Sequence, residues 1–282
     1  MTKKIKILLA ACVAILLAFL IWGICDSNTL VLTEYIVQDP EIPIAFDGFR
    51  IAQVSDLHNE EFGENNEKLI AMLRSAQPDL IAITGDLIDS RTTNIAVALE
   101  FARQALEIAP CYYVTGNHEK RISNYDALKN GLLATGVFVL EEETVPIERD
   151  GEKINLVGIH DVSFRTTYFL GTVEAVMRVT LEPLTQQEGY TILLSHRPEQ
   201  LPVYAEYEID LVLTGHAHGG QIRLPWIGGL YSPAQGLFPE YDFGFYEMED
   251  TQMIVSRGIG NSLIPLRINN PPELVLITLT NP

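Results

Sequence analysis

The sequence predicts an α/β domain that is attached to a membrane by one N-terminal helix. Three observations support this fold class: one uncharged apolar run at the N-terminus, short apolar runs that alternate with helical patterns, and a hairpin-like pattern near the end. Of the 282 residues, 47% are hydrophobic and 20% are charged, a composition typical of a folded domain rather than a disordered or fibrous chain. We expect an anchor over residues 1–26, a short connecting segment with an edge strand over 27–48, and the main domain over 49–282.

The anchor is predicted from residues 7–25, an apolar run long enough to cross the hydrocarbon core of a bilayer. Three of the first six residues are lysines and Asp26 follows the run, so the positive-inside rule places the domain outside the cytoplasm of a single-pass cell-membrane protein. A cleaved signal peptide is the main alternative, although its apolar core is usually shorter and ends at small residues. A lipoprotein signal ending at Cys25 and a buried helix of a soluble domain are weaker alternatives.

The strands of the domain are predicted from near-continuous apolar runs, which are typical of strands covered on both faces. Helical patterns lie between them, and this alternation favours a layered α/β domain. The last part of the chain indicates a mixed or antiparallel second sheet. The predicted strands are 30–38, 50–55, 80–84, 112–115, 154–159, 191–195, 211–214, a hairpin at 243–255 and 273–280, and the predicted helices are 64–76, 94–108 and 126–135.

Charge and cysteine content limit the class of function. The formal net charge of −18 argues against nucleic-acid binding, which needs a basic surface, and no protein partner is predicted. A phosphorylated substrate is compatible with this charge because bound divalent cations would reverse the local field. Cys12 and Cys25 lie in the anchor, so Cys111 stands alone in the domain and cannot form a disulfide within it.

Metal-binding side chains recur directly after the predicted strands. Ligands of layered α/β sheets bind beyond the carboxyl ends of the strands, so we expect these side chains to meet at one rim. The glycines at 85, 116 and 215 are interpreted as points where the backbone turns sharply out of a strand. Five of the six histidines fall in these segments, which are Asp56-Leu57-His58, Gly85-Asp86, Gly116-Asn117-His118-Glu119, His196 and Gly215-His216-Ala217-His218.

The donor set indicates two divalent metal ions. Carboxylate, imidazole and amide donors together suit Mn, Fe, Co, Ni or Zn rather than Ca. The seven candidate ligands of these segments are two aspartates, one asparagine and four histidines. They are too many for one tetrahedral zinc. They suit two metals about 3.5–4 Å apart that share a bridging carboxylate and a bridging hydroxide. The sixth histidine, His160, is interpreted as a loop residue that lines the rim.

The order of these segments resembles that of the calcineurin-like metallophosphoesterases, whose pattern is D-x-H, G-D, G-N-H-[DE], a lone H and G-H-x-H. All five blocks are present in order from Asp56 to His218, and residues 219–225 and 256–260 look like the bacterial membrane-associated branch. The resemblance implies a four-layer α-β-β-α fold in which helices lie outside two facing mixed sheets. It also implies hydrolysis of a phosphate monoester or diester, with a slight preference for the diester.

The resemblance further implies a role for each site residue. One metal is held by Asp56, His58 and His218, the other by Asn117, His196 and His216, with Asp86 bridging them and His118 as the catalytic histidine outside the ligand set. The cations would lower the pKa of a bridging water, hydroxide would attack phosphorus in line, and His118 would stabilise the phosphoryl oxygens or protonate the leaving oxygen. The alternative function is a non-catalytic metal-binding scaffold, which would be expected to have lost His118 or a ligand.

Two further residues are candidates for substrate binding. Arg197 is either a phosphate clamp or a surface arginine. Trp226 lies in the apolar, Pro- and Gly-rich stretch 224–233. It either folds back onto the core or forms an apolar wall beside the metals or toward the membrane interface, where Trp is favoured. The apolar wall would suit a lipid-linked or cell-envelope phosphate, while a soluble nucleotide also stays open.

Overall fold

Two mixed sheets form the centre of the structure. A computed structural model describes residues 2–165, 171–261 and 265–282 of the chain. The strands in these ranges are β1 Val31–Gln38, β2 Arg50–Val54, β3 Leu80–Thr84, β4 Cys111–Val114, β5 Phe138–Val139, β6 Glu143–Arg149, β7 Glu152–Gly158, β8 Thr191–Leu194, β9 Leu211–Thr214, β10 Arg223–Leu224, β11 Gly228–Gly229, β12 Tyr231–Ser232, β13 Gly236–Leu237, β14 Gly244–Met248, β15 Thr251–Val255 and β16 Glu273–Thr280. The helices are α1 Lys3–Ser27, α2 Glu67–Ala76, α3 Ile95–Leu106, α4 Asn117–Arg121, α5 Tyr125–Thr135, α6 Val173–Leu181 and α7 Leu201–Glu206.

Both large sheets combine parallel and antiparallel pairs. The first has the order β1-β16-β2-β3-β4-β5, in which β2 to β5 are parallel and β16 runs antiparallel to β2. The second has the order β14-β15-β9-β8-β7-β6, with a parallel centre and an antiparallel strand at each edge. The expectation of a mixed second sheet is therefore confirmed.

Three apolar clusters separate four layers. One lies between the sheets, where Ile51 and Ile277 of the first sheet meet Ile192 and Leu213 of the second. Another packs the outer face of the first sheet against α2, α3 and α5, and the third packs the outer face of the second sheet against α6 and α7. Strands such as β3 are buried at every position because they are covered on both faces. The predicted four-layer α-β-β-α fold is confirmed.

The helix boundaries depend on local signals beside the apolar stripes. Asn94 is the N-cap of α3, where its side chain accepts a hydrogen bond from the Ala96 amide. The predicted helix 64–76 begins later, at Glu67, because Asn65 and Asn66 adopt left-handed backbone conformations that an α-helix does not continue. The edge strand β6 was not predicted, since its mostly polar sequence includes Pro146 and lacks an apolar run.

The helix α1 contains the whole predicted apolar run, and its length and composition allow it to cross a membrane. Its side chains are exposed along almost its full length, and Gly23 is its one buried residue. The strand β1 begins at Val31 and pairs in parallel with β16 at the edge of the first sheet. The predicted edge strand is confirmed, and only three residues separate it from α1.

Candidate metal centre

The segments that carry candidate ligands come from both sheets. Asp56 and His58 follow β2, Asp86 follows β3 and Asn117 follows β4, whereas His196 follows β8 and the segment with His216 and His218 follows β9. A hydrogen bond of 3.1 Å from the His216 amide to Asp56 Oδ2 joins the two sheets at this edge. The strand ends of both sheets thus share one rim, as the sequence predicted.

The glycines of these segments allow close packing rather than one common turn. Gly85 has a positive φ of 93°, so the interpretation as a turn residue holds there. Gly116 and Gly215 do not have positive φ angles, so a left-handed backbone does not explain why glycine stands there. A Cβ on Gly116 would collide with the Asp86 carboxylate, and one on Gly215 would collide with Ser55 and Asp56. Glycine is required at both positions because a neighbouring ligand occupies the space of a side chain.

Backbone strain is concentrated at the ligands themselves. Five of the seven predicted ligands have positive φ angles between 48° and 66°, a region that non-glycine residues rarely adopt. Such strain persists only where the surrounding structure imposes it, and it clusters at functional sites. The five residues are Asp56, His58, Asp86, His216 and His218.

One group of ligand atoms forms around Asp56. His218 Nε2 lies 3.2 Å from Asp56 Oδ1 and 3.2 Å from His58 Nε2. Asp56 Oδ2 accepts hydrogen bonds from Ser55 Oγ and the His216 amide. Asp56 Oδ1 is buried and has no hydrogen-bond partner among the described residues, so it points into the group with its lone pairs free. Asp56, His58 and His218 are close enough to hold one metal ion.

A second group forms around Asp86. Its Oδ2 lies 3.3 Å from His196 Nε2 and 3.6 Å from His58 Nε2, between the two groups. Its Oδ1 accepts a hydrogen bond of 2.7 Å from the His118 amide. His216 Nδ1 lies 3.2 Å from His196 Nε2 and completes a second set with metal-binding spacing.

Two properties of these side chains fit two divalent cations: a buried oxygen without a hydrogen-bond partner, and a histidine ring whose proton position leaves one nitrogen for a metal. The buried Asn117 Oδ1 has no hydrogen-bond partner in the described part of the chain, although buried polar atoms normally have one. His196 Nδ1 donates to the Thr84 carbonyl at 2.8 Å, which leaves its Nε2 as a lone pair for a metal. The residues present therefore fit two cations, one on each side of Asp86.

Opposite charges balance each other within the site. Burial alone would raise the pKa of Asp56, but His218 and His58 hold it well below its usual range. Burial alone would lower the pKa of His196, but Asp86 and Asp56 raise it to about 10. Without metal His196 therefore retains a proton, and a divalent cation would displace that proton on binding.

His118 lies at the edge of both groups. Its Nδ1 accepts a hydrogen bond of 3.1 Å from the Ser90 amide, so the proton of the neutral ring is on Nε2. Burial lowers the pKa of His118 to about 4, which keeps the ring neutral near pH 7. His118 also lies within metal-binding distance of His58 and Asp86, so its assigned place outside the ligand set remains a prediction.

Arg197 is mostly buried and pairs with Asp161 beside the second group of candidate ligands. Only 14% of its side chain is exposed, so it is not a surface arginine. It forms a two-pronged pair with the buried Asp161, at 2.5 Å for Nε–Oδ2 and 3.1 Å for Nη2–Oδ1. Its Nη1 donates to His216 Nε2 at 3.0 Å, which leaves Nδ1 of that ring toward the second group. Whether Arg197 also contacts phosphate stays a prediction.

Several residues that support the ligands were not found from the sequence. Asp161 could have been identified from the sequence, because it follows β7 in the same way as the candidate ligands follow their strands. Arg267 and Asn270 had none. Arg267 is fully buried and its Nη2 lies 3.4 Å from His218 Nδ1, while Asn270 Nδ2 donates to the His218 carbonyl at 2.8 Å. His160 contacts Thr115 and Phe164 and belongs to none of the described groups with metal-binding spacing, which agrees with its interpretation as a loop residue rather than a ligand.

A pocket of about 250 Å³ opens beside the ligands. Tyr231, Pro233 and Ala234 form an apolar wall, and Arg91 and Arg121 add positive charge to the lining. Trp226 is not among the described lining residues, and its side chain is fully exposed. The interpretation that Trp226 folds back onto the core is therefore wrong, because this residue projects into solvent from a hairpin turn.

The family of the chain follows from comparison with known proteins. A family model described as calcineurin-like phosphoesterase matches residues 49–220, which include all seven predicted ligands. The chain belongs to the calcineurin-like phosphoesterase family. It is accordingly a hydrolase of the metallophosphoesterase superfamily, whose members use divalent metals.

Relatives of this family member occur in bacteria and animals. The chain is 31% identical to the uncharacterized metallophosphoesterase YkuE of Bacillus subtilis, over 90% of this chain and 87% of the relative. It is 27% identical to the phosphodiesterase YaeI of Escherichia coli, over 82% of each. It is 29% identical to a transmembrane protein with metallophosphoesterase domain of Danio rerio, over 86% of this chain and 57% of the relative.

A solved structure shares the fold. The sulfate thiohydrolase SoxB of Thermus thermophilus superposes with a TM-score of 0.52 over 83% of this chain and 57% of that chain, at 14% identity. At this identity the likeness shows the fold alone.

Proposed function

We propose that this calcineurin-like phosphoesterase is a binuclear metal-dependent enzyme that hydrolyses a phosphate ester, with a preference for diesters. The observation that supports this most is the position of Asp86 Oδ2 between two histidine-containing groups, 3.6 Å from His58 Nε2 and 3.3 Å from His196 Nε2. One carboxylate shared by two such groups is the arrangement of sites in which two metals act on the same phosphoryl group.

The ligand assignment of the proposal follows these groups. Asp56, His58 and His218 would hold one cation, Asn117, His196 and His216 would hold the other, and Asp86 would be shared by both. When bound, the two cations, of Mn, Fe, Zn, Co or Ni, supply Lewis acidity and a water of lowered pKa.

The residues of the chain then have separate tasks. His118 is a neutral donor through Nε2–H, directed to a phosphoryl or leaving oxygen. Asp161 orients Arg197, and Arg197 orients the His216 ring through Nε2. Arg91 and Arg121 in the pocket lining attract the anionic substrate to a protein whose net charge is −18.

The proposal includes a location and a class of substrate. The helix α1 crosses the cell membrane once, and the domain lies outside the cytoplasm, where lipid-linked and cell-envelope phosphates are available. Protease added to intact cells should then cleave the domain. Full protection of the domain, or a mature protein that starts near Asp26, would contradict this topology.

The reaction is tested with the full-length protein purified without chelator. We expect Mn-dependent hydrolysis of p-nitrophenyl phosphate and its bis-ester, with a higher kcat/KM on the bis-ester. A protein that binds two metal equivalents but hydrolyses neither ester would instead be a metal-binding scaffold of the same fold.

A further inference from the structure

The stretch after His218 folds into two small hairpins that expose apolar side chains. These hairpins, β10–β11 and β12–β13 over residues 223–238, are called the apolar ribbon here. Between positions 224 and 238 the sequence LPWIGGLYSPAQGLF contains no charged residue, although 20% of the chain is charged. The exposed large side chains of the ribbon are Leu224, Trp226, Ile227, Tyr231, Leu237 and Phe238.

Trp226 occupies a backbone position that does not favour it. Its φ of 63° lies in the left-handed region, where glycine is relaxed and a bulky residue is strained. The side chain is fully exposed, so packing within the domain does not compensate for this strain. A large aromatic residue at the tip of an uncharged hairpin is more consistent with a contact outside the domain than with a role in folding.

The position of the ribbon relative to a bilayer can be derived from α1. Gly23 is the buried residue of this helix, and a Cβ at that position would lie 2.7 Å from the Leu266 side chain. Gly23 is two residues inside the end of the apolar run at Cys25, or about 3 Å along the helix. The Leu266 side chain therefore reaches the depth of the last turn of the apolar run.

The loop that contains Leu266 also holds the base of the ribbon. The Arg267 amide donates to Ser27 Oγ at 2.8 Å, next to the end of α1. One residue further, the Ile268 carbonyl accepts a hydrogen bond of 2.9 Å from the Arg223 amide. Trp226 lies three residues beyond Arg223, in the turn of the hairpin, so it is at most about 10 Å from Arg223. That reach is comparable to the roughly 5–8 Å interfacial layer on each side of the hydrocarbon core.

The ribbon is connected to the metal pocket as firmly as to α1. The Leu230 amide donates to the Gly220 carbonyl at 3.1 Å, two residues after His218. The backbones of Gly220 and Gly229 are so close that a Cβ on Gly229 would lie 2.8 Å from Gly220 Cα. Tyr231 of the ribbon also lines the pocket. A contact between the ribbon and a surface would therefore fix where the pocket opens.

We propose that the apolar ribbon is a second membrane contact, which lies in the lipid interface beside α1 and holds the mouth of the metal pocket at the bilayer surface. Its exposed Trp226 and Tyr231 match the enrichment of Trp and Tyr at the membrane–water interface, and the lack of charge lowers the cost of contact with lipid. The occupant is the lipid of the membrane that α1 crosses, since Leu266 links the two elements at the depth of Gly23. If the proposed phosphoesterase activity is correct, this placement favours a phosphoester whose apolar part stays in the bilayer.

The experiment uses the two tryptophans of the chain, Trp22 and Trp226. The conservative variant Trp22→Phe leaves Trp226 as the sole reporter in the full-length protein, reconstituted in lipid nanodiscs. We expect its emission to be shifted to the blue, quenched by lipids brominated along their acyl chains, and shielded from aqueous iodide. Emission typical of a water-exposed indole, quenched by iodide and not by brominated lipid, would overturn the proposal.

Two further single-tryptophan variants make the result specific. In Trp22→Phe/Trp226→Phe/Ile227→Trp the reporter moves by one residue, to a side chain that is 63% exposed, and lipid quenching should persist. In Trp22→Phe/Trp226→Phe/Phe138→Trp it moves to β5, at the edge of the first sheet opposite β1, and iodide access should return. Equal lipid quenching at both positions would refute a specific contact of the ribbon. The readout needs no turnover, so an inactive protein would still test the membrane contact.

Discussion

The metal centre and the apolar ribbon are adjacent in the chain, yet they are built in opposite ways. The candidate ligands are buried at the ends of strands from both sheets and are held by partners such as Arg197 and Asn270. The ribbon exposes large apolar side chains, is uncharged between positions 224 and 238, and is attached through its backbone to Gly220 and Ile268. In this account the metal centre carries out the chemistry, and the ribbon determines which substrates reach it. Changes at the ligands should affect every substrate, whereas changes in the ribbon should affect substrates in a membrane.

The largest expected effect is that of Asp86→Asn. This change keeps the shape of the side chain but removes the negative charge that both groups of ligands share. We expect turnover to be abolished on soluble and lipid substrates, with loss of at least one metal equivalent by elemental analysis. The exposed Asp250→Asn, in the turn between β14 and β15, is the matched control and should retain both properties. Two bound metals and near-normal turnover in Asp86→Asn would rule out a binuclear centre.

A smaller but still large effect is expected of His118→Asn. The variant should bind two metals and lose about 10²–10⁴-fold in kcat, because one hydrogen-bond donor to the reacting group is removed. The loss should shrink for good leaving groups if proton donation is the main task. Since burial lowers the pKa of His118 to about 4, the ring is neutral at higher pH. Parent and variant should therefore share one pH dependence above about pH 6, and loss of metal from the variant would make His118 a ligand instead.

Asp161→Asn tests the support of the ligands. Removing one charge of the buried Arg197 pair should weaken metal binding about 10–100-fold, through the orientation of His216. It should also lower the free energy of unfolding by up to about 3 kcal/mol, since the buried guanidinium loses its two-pronged partner and keeps only the longer contact of 3.6 Å to Glu199. The pKa of Asp161 gives the direction in which the stability changes with pH. Arg197 holds the pKa of Asp161 at about 2 against the effect of burial, so this stability is present in full above the unfolded value of about 4 and is lost as the pH falls from about 4 through about 2.

The matched control for Asp161→Asn is Glu206→Gln. Glu206 forms an equally two-pronged pair with Arg178, at 2.6 and 2.7 Å, but this pair is exposed to solvent. Solvent-exposed ion pairs contribute little, so thermal denaturation and metal titration should barely change. Equal effects of the two variants would show that the Arg197 pair does not act through the metal centre.

The smallest and most selective effect is expected of the double variant Trp226→Ala/Ile227→Ala. Loss of two interfacial side chains should lower kcat/KM about tenfold on a lipid phosphate in nanodiscs, with little change on a small chromogenic ester. Parallel assays of the two substrates measure this ratio. An equal loss on both, or a lowered melting temperature, would place the ribbon in the folding core rather than at the membrane.

The sequence was sufficient where a local pattern determines the structure. The strands β3, β9 and β16 have the predicted bounds, because continuous apolar runs with polar ends leave one arrangement between two covering layers. The candidate ligands could be located for a related reason. Each lies within four residues of a strand end, and the parallel order of the central strands brings those ends together.

The sequence was insufficient where contacts between distant positions decide the outcome. Asp161 and Arg197 are separated by 36 residues, and Asn270 lies 52 residues from the His218 carbonyl that it binds. No local pattern relates such pairs. The need for glycine at 116 and 215 likewise depends on side chains from other strands. The two-residue strands of the ribbon are too short to show a period, so the sequence predicted only a loop there.

The account depends most on two metals that share Asp86, and electron paramagnetic resonance tests this directly. The full-length protein is freed of metal and then loaded with two equivalents of Mn²⁺. If Asp86 bridges the ions, they lie about 3.5–4 Å apart and should give the signal of an exchange-coupled pair, which Asp86→Asn should lose. A spectrum of isolated, uncoupled Mn²⁺ in the active parent protein would contradict the account.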